Sequence, residues 1–127
     1  PVFYVQYAHA RIHSIARVAA ERGVVRAPLP DVDLSLLTHE RELDVLRSLS
    51  ELPETVATAC NARAPHQIAT WVRELAGRFH GFYHDCYVMG DGVSPGMTQA
   101  RLWLVEAAGV GLAIGLDLLG VSAPESM

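Results

Sequence analysis

YVQYAHARIHS, residues Tyr4–Ser14, decides the class of fold. Val5, Ala8, Ile12 and Ile15 recur at helical spacing, and Ala16 and Ala19 extend the series. This predicts a helix from Pro1 to about Arg22, with Pro1 suited to a first turn and Gly23 to the position after the end. The six apolar residues form its core stripe. Gln6, His9, His13 and Arg17 are expected on the opposite, solvated side. Tyr4, Tyr7 and Arg11 are spaced i, i+3, i+7. At about 100° per residue they share a narrow strip on one shoulder of the apolar face.

The rest of the chain keeps the helical period. VRAPLPDVD, Val25–Asp33, reads as a linker from its prolines and aspartates. A second helix is expected over roughly His39–Leu49, with Thr38 as N-cap and Leu43, Leu46 and Leu49 inward. Pro53 opens a third through Cys60, and Pro65 a long fourth. Ile68, Val72, Leu75, Ala76, Phe79, Phe82 and Cys86 form the fourth helix's apolar face. MGDGVSPGM, Met89–Met97, is a loop, and a fifth helix runs from about Thr98 to Leu119, stopping at Gly120. No segment alternates with period two. The expectation is an all-α bundle of about five helices in one domain spanning 1–127.

Composition narrows the function. Half of the 127 residues are hydrophobic and 19% are charged, which suits a globular domain. The longest apolar run, between Glu106 and Asp117, is far short of a bilayer span, and Pro1–Arg11 is not a signal peptide. No membrane partner is expected, and a cytoplasmic location is. Cys60 and Cys86 read as free thiols in a reducing compartment. A net charge of −4 argues against a general nucleic-acid coat, and DNA is not an expected partner. The charge is uneven, however. Residues 1–26 carry Arg11, Arg17, Arg22 and Arg26 against Glu21 alone, whereas the remainder carries six arginines against thirteen acids. Any polyanion contact should involve the first helix.

Two readings of Tyr4, Tyr7 and Arg11 follow. The rings can cover the edge of a wide apolar stripe. They can also form a platform on which splayed bases stack, at about 1–3 kcal/mol per ring, with the guanidinium on phosphate or base. His80 and His84, at i, i+4, lack the further ligands that zinc needs, so no metal site is expected. Cys86 beside those histidines has no visible orienting partner, and Gly90–Gly92 lacks the context of a phosphate loop, so no catalytic residue is assigned. The last helix is apolar almost all round, which implies burial on more than one side. Gly109, Gly111 and Gly115 within it suit a close backbone neighbour.

PVFYVQYAHARIHSI, DLSLLTHERELDVLRSLSELPETV, APHQIATWVRELAGRFHGFYHDCYV and ARLWLVEA…GLDLLGVSAPESM, in that order, resemble the C-terminal DALR-type anticodon-binding domain of bacterial arginyl-tRNA synthetases. The resemblance covers essentially the whole chain. It implies a helical bundle that grips the anticodon loop of an arginine-accepting tRNA, while a separate catalytic domain, absent here, uses ATP to join arginine to tRNA. It implies no chemistry and no cofactor in this chain. It places Tyr4, Tyr7, Arg11, Tyr83 and Met127 against the loop, with Gln6 and His9 as weaker candidates.

The chain departs from the family in its last helix and at its end. The resemblance implies arginine where Gly109 stands, polar residues at Val110 and Ile114, and arginine at Ser126. The substitutions create an apolar strip of Trp103, Ala107, Val110 and Ile114, flanked by Gly111 and Gly115. That strip suits a homodimer or a protein interface. Two origins fit: a fragment of a synthetase, or a stand-alone paralogue repurposed for protein interaction with weakened tRNA binding.

Overall fold

The computed structural model describes Pro1–Met127 as five α-helices with no strand. They are α1 (Val2–Glu21), α2 (Glu40–Ser50), α3 (Leu52–Ala62), α4 (His66–Asp85) and α5 (Pro95–Leu118). Two short 3₁₀ turns, Leu29–Asp31 and Leu34–Leu36, interrupt the linker between α1 and α2. α4 is the hub and packs against all four other helices. Its expected apolar face is buried throughout, from Ile68 to Cys86, and Trp71 joins it. Phe79, Phe82, Leu75, Leu112, Leu116, Val45 and Val72 form the centre of the core.

The helix ends follow local chemistry. Gly23 and Gly120 both adopt φ +72°, a conformation that glycine enters without strain, and the expected stops of α1 and α5 fall there. α5 begins a turn earlier than Thr98, because Ser94 accepts a hydrogen bond from Met97 N–H at 3.2 Å and Pro95 occupies the first turn. α2 is capped by His39, not Thr38. His39 Nδ1 accepts from Arg41 N–H, while Glu42 reaches back to accept from His39 N–H at 2.9 Å.

That box also fixes the rotation of α2, and the expected inward face is wrong. Leu43 and Leu46 are exposed and Leu49 is partly buried, whereas Glu42, Val45 and Ser48 are buried. Polar anchors decide this. Glu42 pairs with Arg101 at 2.7 Å, and the Ser48 carbonyl accepts from the Trp71 indole at 2.7 Å. The Ser48 hydroxyl accepts from Arg78 at 2.8 Å. On α1, Val5, Ala8, Ile12, Ile15 and Ala19 are buried as expected, but Ala16 is exposed and Ala10 takes its place inside.

The proposed interface on α5 is largely spent inside the bundle. A Cβ on Gly115 would meet Val72 at 2.6 Å, and one on Gly111 would meet Leu49 at 2.7 Å and Leu75 at 3.0 Å. The close neighbours of these glycines are α4 and α2 of the same chain. A Cβ on Gly109 would meet Ile12 of α1 at 3.0 Å. Trp103 is occupied too: its indole N–H donates to the Ala27 carbonyl, and Arg26 lies 4.1 Å from its ring centroid. Ala107, Val110 and Ile114 remain exposed among those interface residues. No helix is long and apolar enough to cross a membrane.

Candidate nucleic-acid interface

Tyr4, Tyr7 and Arg11 face the C-terminal half of α4, where His80 and Tyr83 lie on one side of the helix. The rings interlock. His80 stands 5.1 Å from Tyr4 and 6.4 Å from Tyr7, centroid to centroid, with Phe79 at 5.8 Å on its inner side. The Arg11 guanidinium sits 4.5 Å from the Tyr83 centroid and 5.3 Å from that of Tyr7. Its Nη1 lies 3.3 Å from His80 Nδ1. An arginine carries only donors there, so in this contact the imidazole nitrogen accepts. Burial, and then the Arg11 charge, hold the His80 pKa below its ordinary value of 6.5, in keeping with a neutral ring.

The tyrosines are only partly used by this packing. Tyr4 is 44%, Tyr7 51% and Tyr83 40% exposed, so each ring keeps surface for a second neighbour. The rings edge the core and still present faces outward. Beside them opens a groove of about 450 Å³, a volume typical of small-molecule pockets. Tyr7, Arg11, Tyr83, Tyr87, Met89 and Met127 contribute to its lining. Four of the five residues singled out from the sequence thus meet in one place, and Tyr4 adjoins them through His80.

The C-terminal tail closes this groove, and here two expectations are corrected. Gln6 and His9 are buried, not solvated. Gln6 Nε2 donates to the Ser122 carbonyl at 2.9 Å, and His9 Nδ1 lies 2.8 Å from the Pro124 carbonyl. A carbonyl only accepts, so Nδ1 carries the proton. These bonds hold the tail along α1 and bring Ser126 and Met127 to the groove. Gln6 and His9 are clamps for the tail and are not free for a ligand.

The groove is basic as well as aromatic. Arg11, Arg17 and Arg22 all line it, and none forms an ion pair with a carboxylate. Arg26, the fourth arginine of the basic segment, pairs with Glu106 at 3.0 Å. An uncompensated guanidinium beside stacked rings suits a planar, negatively charged ligand. Tyr87 lines the groove without having been singled out, and His80 packs against Tyr4 and Tyr7 without lining it. The neighbourhood of His80 with Tyr4 and Tyr7 exists only between helices, so no spacing in the sequence marks it. The Cys86 thiol at the groove floor is buried, and burial raises its pKa, which disfavours a nucleophilic thiolate. Cys60 is exposed on α3, and both cysteines are free. No group of three or more His, Cys, Asp or Glu is placed to hold a metal ion.

Comparison with known proteins gives one result throughout. The family model of the DALR anticodon binding domain matches residues 5–127. The arginine–tRNA ligase of Carboxydothermus hydrogenoformans is 50% identical over the whole chain, and that of Frankia alni is 52% identical. The chain spans 22% and 23% of those proteins' lengths. Among solved structures, an arginyl-tRNA synthetase of Thermus thermophilus superposes with a TM-score of 0.79 at 35% identity, over 98% of this chain and 21% of that one. A putative arginyl-tRNA synthetase of Campylobacter jejuni gives a TM-score of 0.83 at 29% identity, over all of this chain and 26% of its own. The five-helix order, the aromatic and arginine groove and these matches agree: the chain belongs to the DALR anticodon binding domain family.

Proposed function

We propose that these 127 residues act as one domain that binds the anticodon loop of an arginine-accepting tRNA, as the anticodon-binding part of an arginine–tRNA ligase. The observation that carries this reading is the convergence of Tyr7, Arg11, Tyr83 and Met127 on one groove whose three arginines have no carboxylate partner. In an anticodon loop, bases turn outward and can stack on rings, and phosphates run alongside. Tyr4, Tyr7 and Tyr83 offer the rings; Arg11 offers a planar cation already stacked on Tyr83. Arg17 and Arg22 meet phosphate. Met127 and Tyr87 supply the apolar and aromatic wall. Arginine activation with ATP belongs to the remainder of such a ligase, and a cytoplasmic setting fits this role.

The test is footprinting of an arginine tRNA with the chain bound. Protection confined to the anticodon loop, lost in a Tyr7→Ala/Arg11→Ala variant, is the expected result. Protection of the acceptor stem alone contradicts it.

A second reading, self-association through α5, retains one supporting observation: Val110 and Ile114 stand exposed one helical turn apart. Sedimentation at high concentration tests it, with a dimer abolished by Ile114→Asp as the supporting result and a monomer as the contrary one.

A further inference from the structure

The wall of the groove formed by Tyr87, Val88 and Met89 belongs to the turn between α4 and α5, outside either helix. Such turns are usually held by their own backbone hydrogen bonds. This one has such a bond at its far end, from Val93 N–H to the Gly90 carbonyl, but at Tyr87 it is held by a side chain of α5. Arg101, on α5, donates from Nη1 to the Tyr87 carbonyl at 2.6 Å. The same guanidinium donates from Nε to Glu42 at 2.7 Å. Glu42 is wholly buried, and its second oxygen accepts from His39 N–H, which fixes it against the start of α2. Neither Glu42 nor Arg101 lines the groove.

A buried ion pair is a poor way to gain stability. Desolvating both charges offsets most of their attraction, and apolar replacements of similar volume are often neutral or stabilising. This pair has a geometric use that an apolar pair lacks. The planar fork of arginine reaches two acceptors at once in fixed directions. One acceptor is anchored in α2 and the other is the backbone of the groove wall.

We propose that Glu42 and Arg101 are positioning residues for the ligand groove, a strut anchored on buried Glu42 that sets where Tyr87 and its neighbours stand. The proposal rests on the anticodon-loop reading for the identity of the ligand. Neither residue touches that ligand. Their effect passes through the Tyr87 carbonyl to the wall that Tyr87, Val88 and Met89 build.

The experiment replaces the strut without leaving a lone buried charge. A Glu42→Met/Arg101→Met chain is compared with the parent, both carrying Cys60→Ser so that Cys86 is the one thiol. Thermal unfolding reports the fold. Labelling of Cys86 by a neutral maleimide reports the wall, with no RNA present. Arg101 and Glu42 push the Cys86 thiol in opposite directions, so removing both limits the change in its ionisation and the rate reads access. Titration with an arginine tRNA reports the site.

The expected result is an unfolding midpoint lowered only as far as the lost α2 capping-box oxygen requires, faster Cys86 labelling, and tRNA affinity reduced by about tenfold or more, the scale of one weakened stacking contact. Should the double variant fail to fold, Arg101→Lys serves instead. It keeps the charge but not the fork, and the same labelling and affinity changes are expected in reduced form. Unchanged labelling, or unchanged affinity in a folded variant that labels faster, overturns the positioning role alone. A parent chain that binds no tRNA overturns the functional reading and the role that rests on it.

Discussion

The Arg11 guanidinium lies 4.5 Å from the centroid of the Tyr83 ring, bridging α1 and α4 where the groove opens. The same group is 3.3 Å from His80 and has no carboxylate partner. A cation held by rings and a neutral imidazole keeps its charge available. Arg11→Lys removes the plane that stacks on Tyr83 while keeping the charge. It should weaken arginine-tRNA binding by about 1 kcal/mol, the scale of an exposed cation–π contact, with helicity unchanged. Filter binding beside circular dichroism reads both; equal affinity would show that only the charge matters.

Tyr7→Ala and Tyr4→Ala should each weaken that binding by about 1–3 kcal/mol, the cost of losing one stacked base. The two rings are not equivalent. Tyr4 lies closer to His80, so Tyr4→Ala should also lower the unfolding midpoint more than Tyr7→Ala does. Parallel titrations and melts separate the two effects. Full affinity in both variants would exclude stacking on these rings.

His80 makes the fold sensitive to acid. Its folded-state pKa lies below 6.5, chiefly through burial and then through Arg11. The unfolded chain therefore takes up this proton at a higher pH than the folded chain. The contribution of neutral His80 is full above about 6.5 and is lost as pH falls from there through the folded value. Urea unfolding across pH 7.5 to 5 should show a steeper loss in the parent than in His80→Gln. Parallel curves would remove His80 from the account. An NMR titration of the ring should give a midpoint below 6.5.

Breaking the Glu42–Arg101 pair on one side should be costly. Glu42→Ala leaves Arg101, whose side chain is only 13% exposed, without its carboxylate. It also removes the oxygen that accepts from His39 N–H and so half of the α2 capping box. The expected loss is about 3–5 kcal/mol of stability in urea. A loss below about 1 kcal/mol would mean that water reaches the pair.

Gly115→Ala tests the packing of α5 on α4. Alanine is favoured over glycine in a helix by about 1 kcal/mol. Here the new methyl would meet Val72 Cβ at 2.8 Å and its Cγ2 at 2.6 Å, so the core must shift. Overpacking of this kind costs about 1–3 kcal/mol, and a net destabilisation is expected by thermal melting. Net stabilisation would show that Val72 has room to move.

The sequence made most of the fold legible because α1 and α4 bury apolar residues at the period that defines them and α5 is apolar almost all round. α2 was the exception in rotation. Its leucines mark one face, but hydrogen bonds that Glu42 and Ser48 accept from Arg101 and Trp71 select another, and such pairings between distant helices leave no local pattern. The same limit applies to the site. Tyr4, Tyr7 and Arg11 share a strip that periodicity reveals, whereas Tyr83 and Met127 came from resemblance to a family. His80 joins them only once α1 lies on α4. Gln6 and His9 look solvated on a helical wheel because the tail that covers them is more than a hundred residues away in sequence. Gly111 and Gly115 suggested a close backbone neighbour, but what comes close is side chains of the same bundle, Leu49, Leu75 and Val72.

Under the proposed function this groove reads an anticodon loop. The most direct measurement is titration of the 127-residue chain with an arginine tRNA and an unrelated tRNA, at low and at moderate salt. Contacts that rest on phosphate alone fade steeply with salt, while stacking and base contacts persist. Anticodon recognition predicts a preference for the arginine tRNA that survives moderate salt and disappears in the Tyr7→Ala/Arg11→Ala chain. Equal affinity for both tRNAs that collapses with salt, or no binding to either, would contradict it.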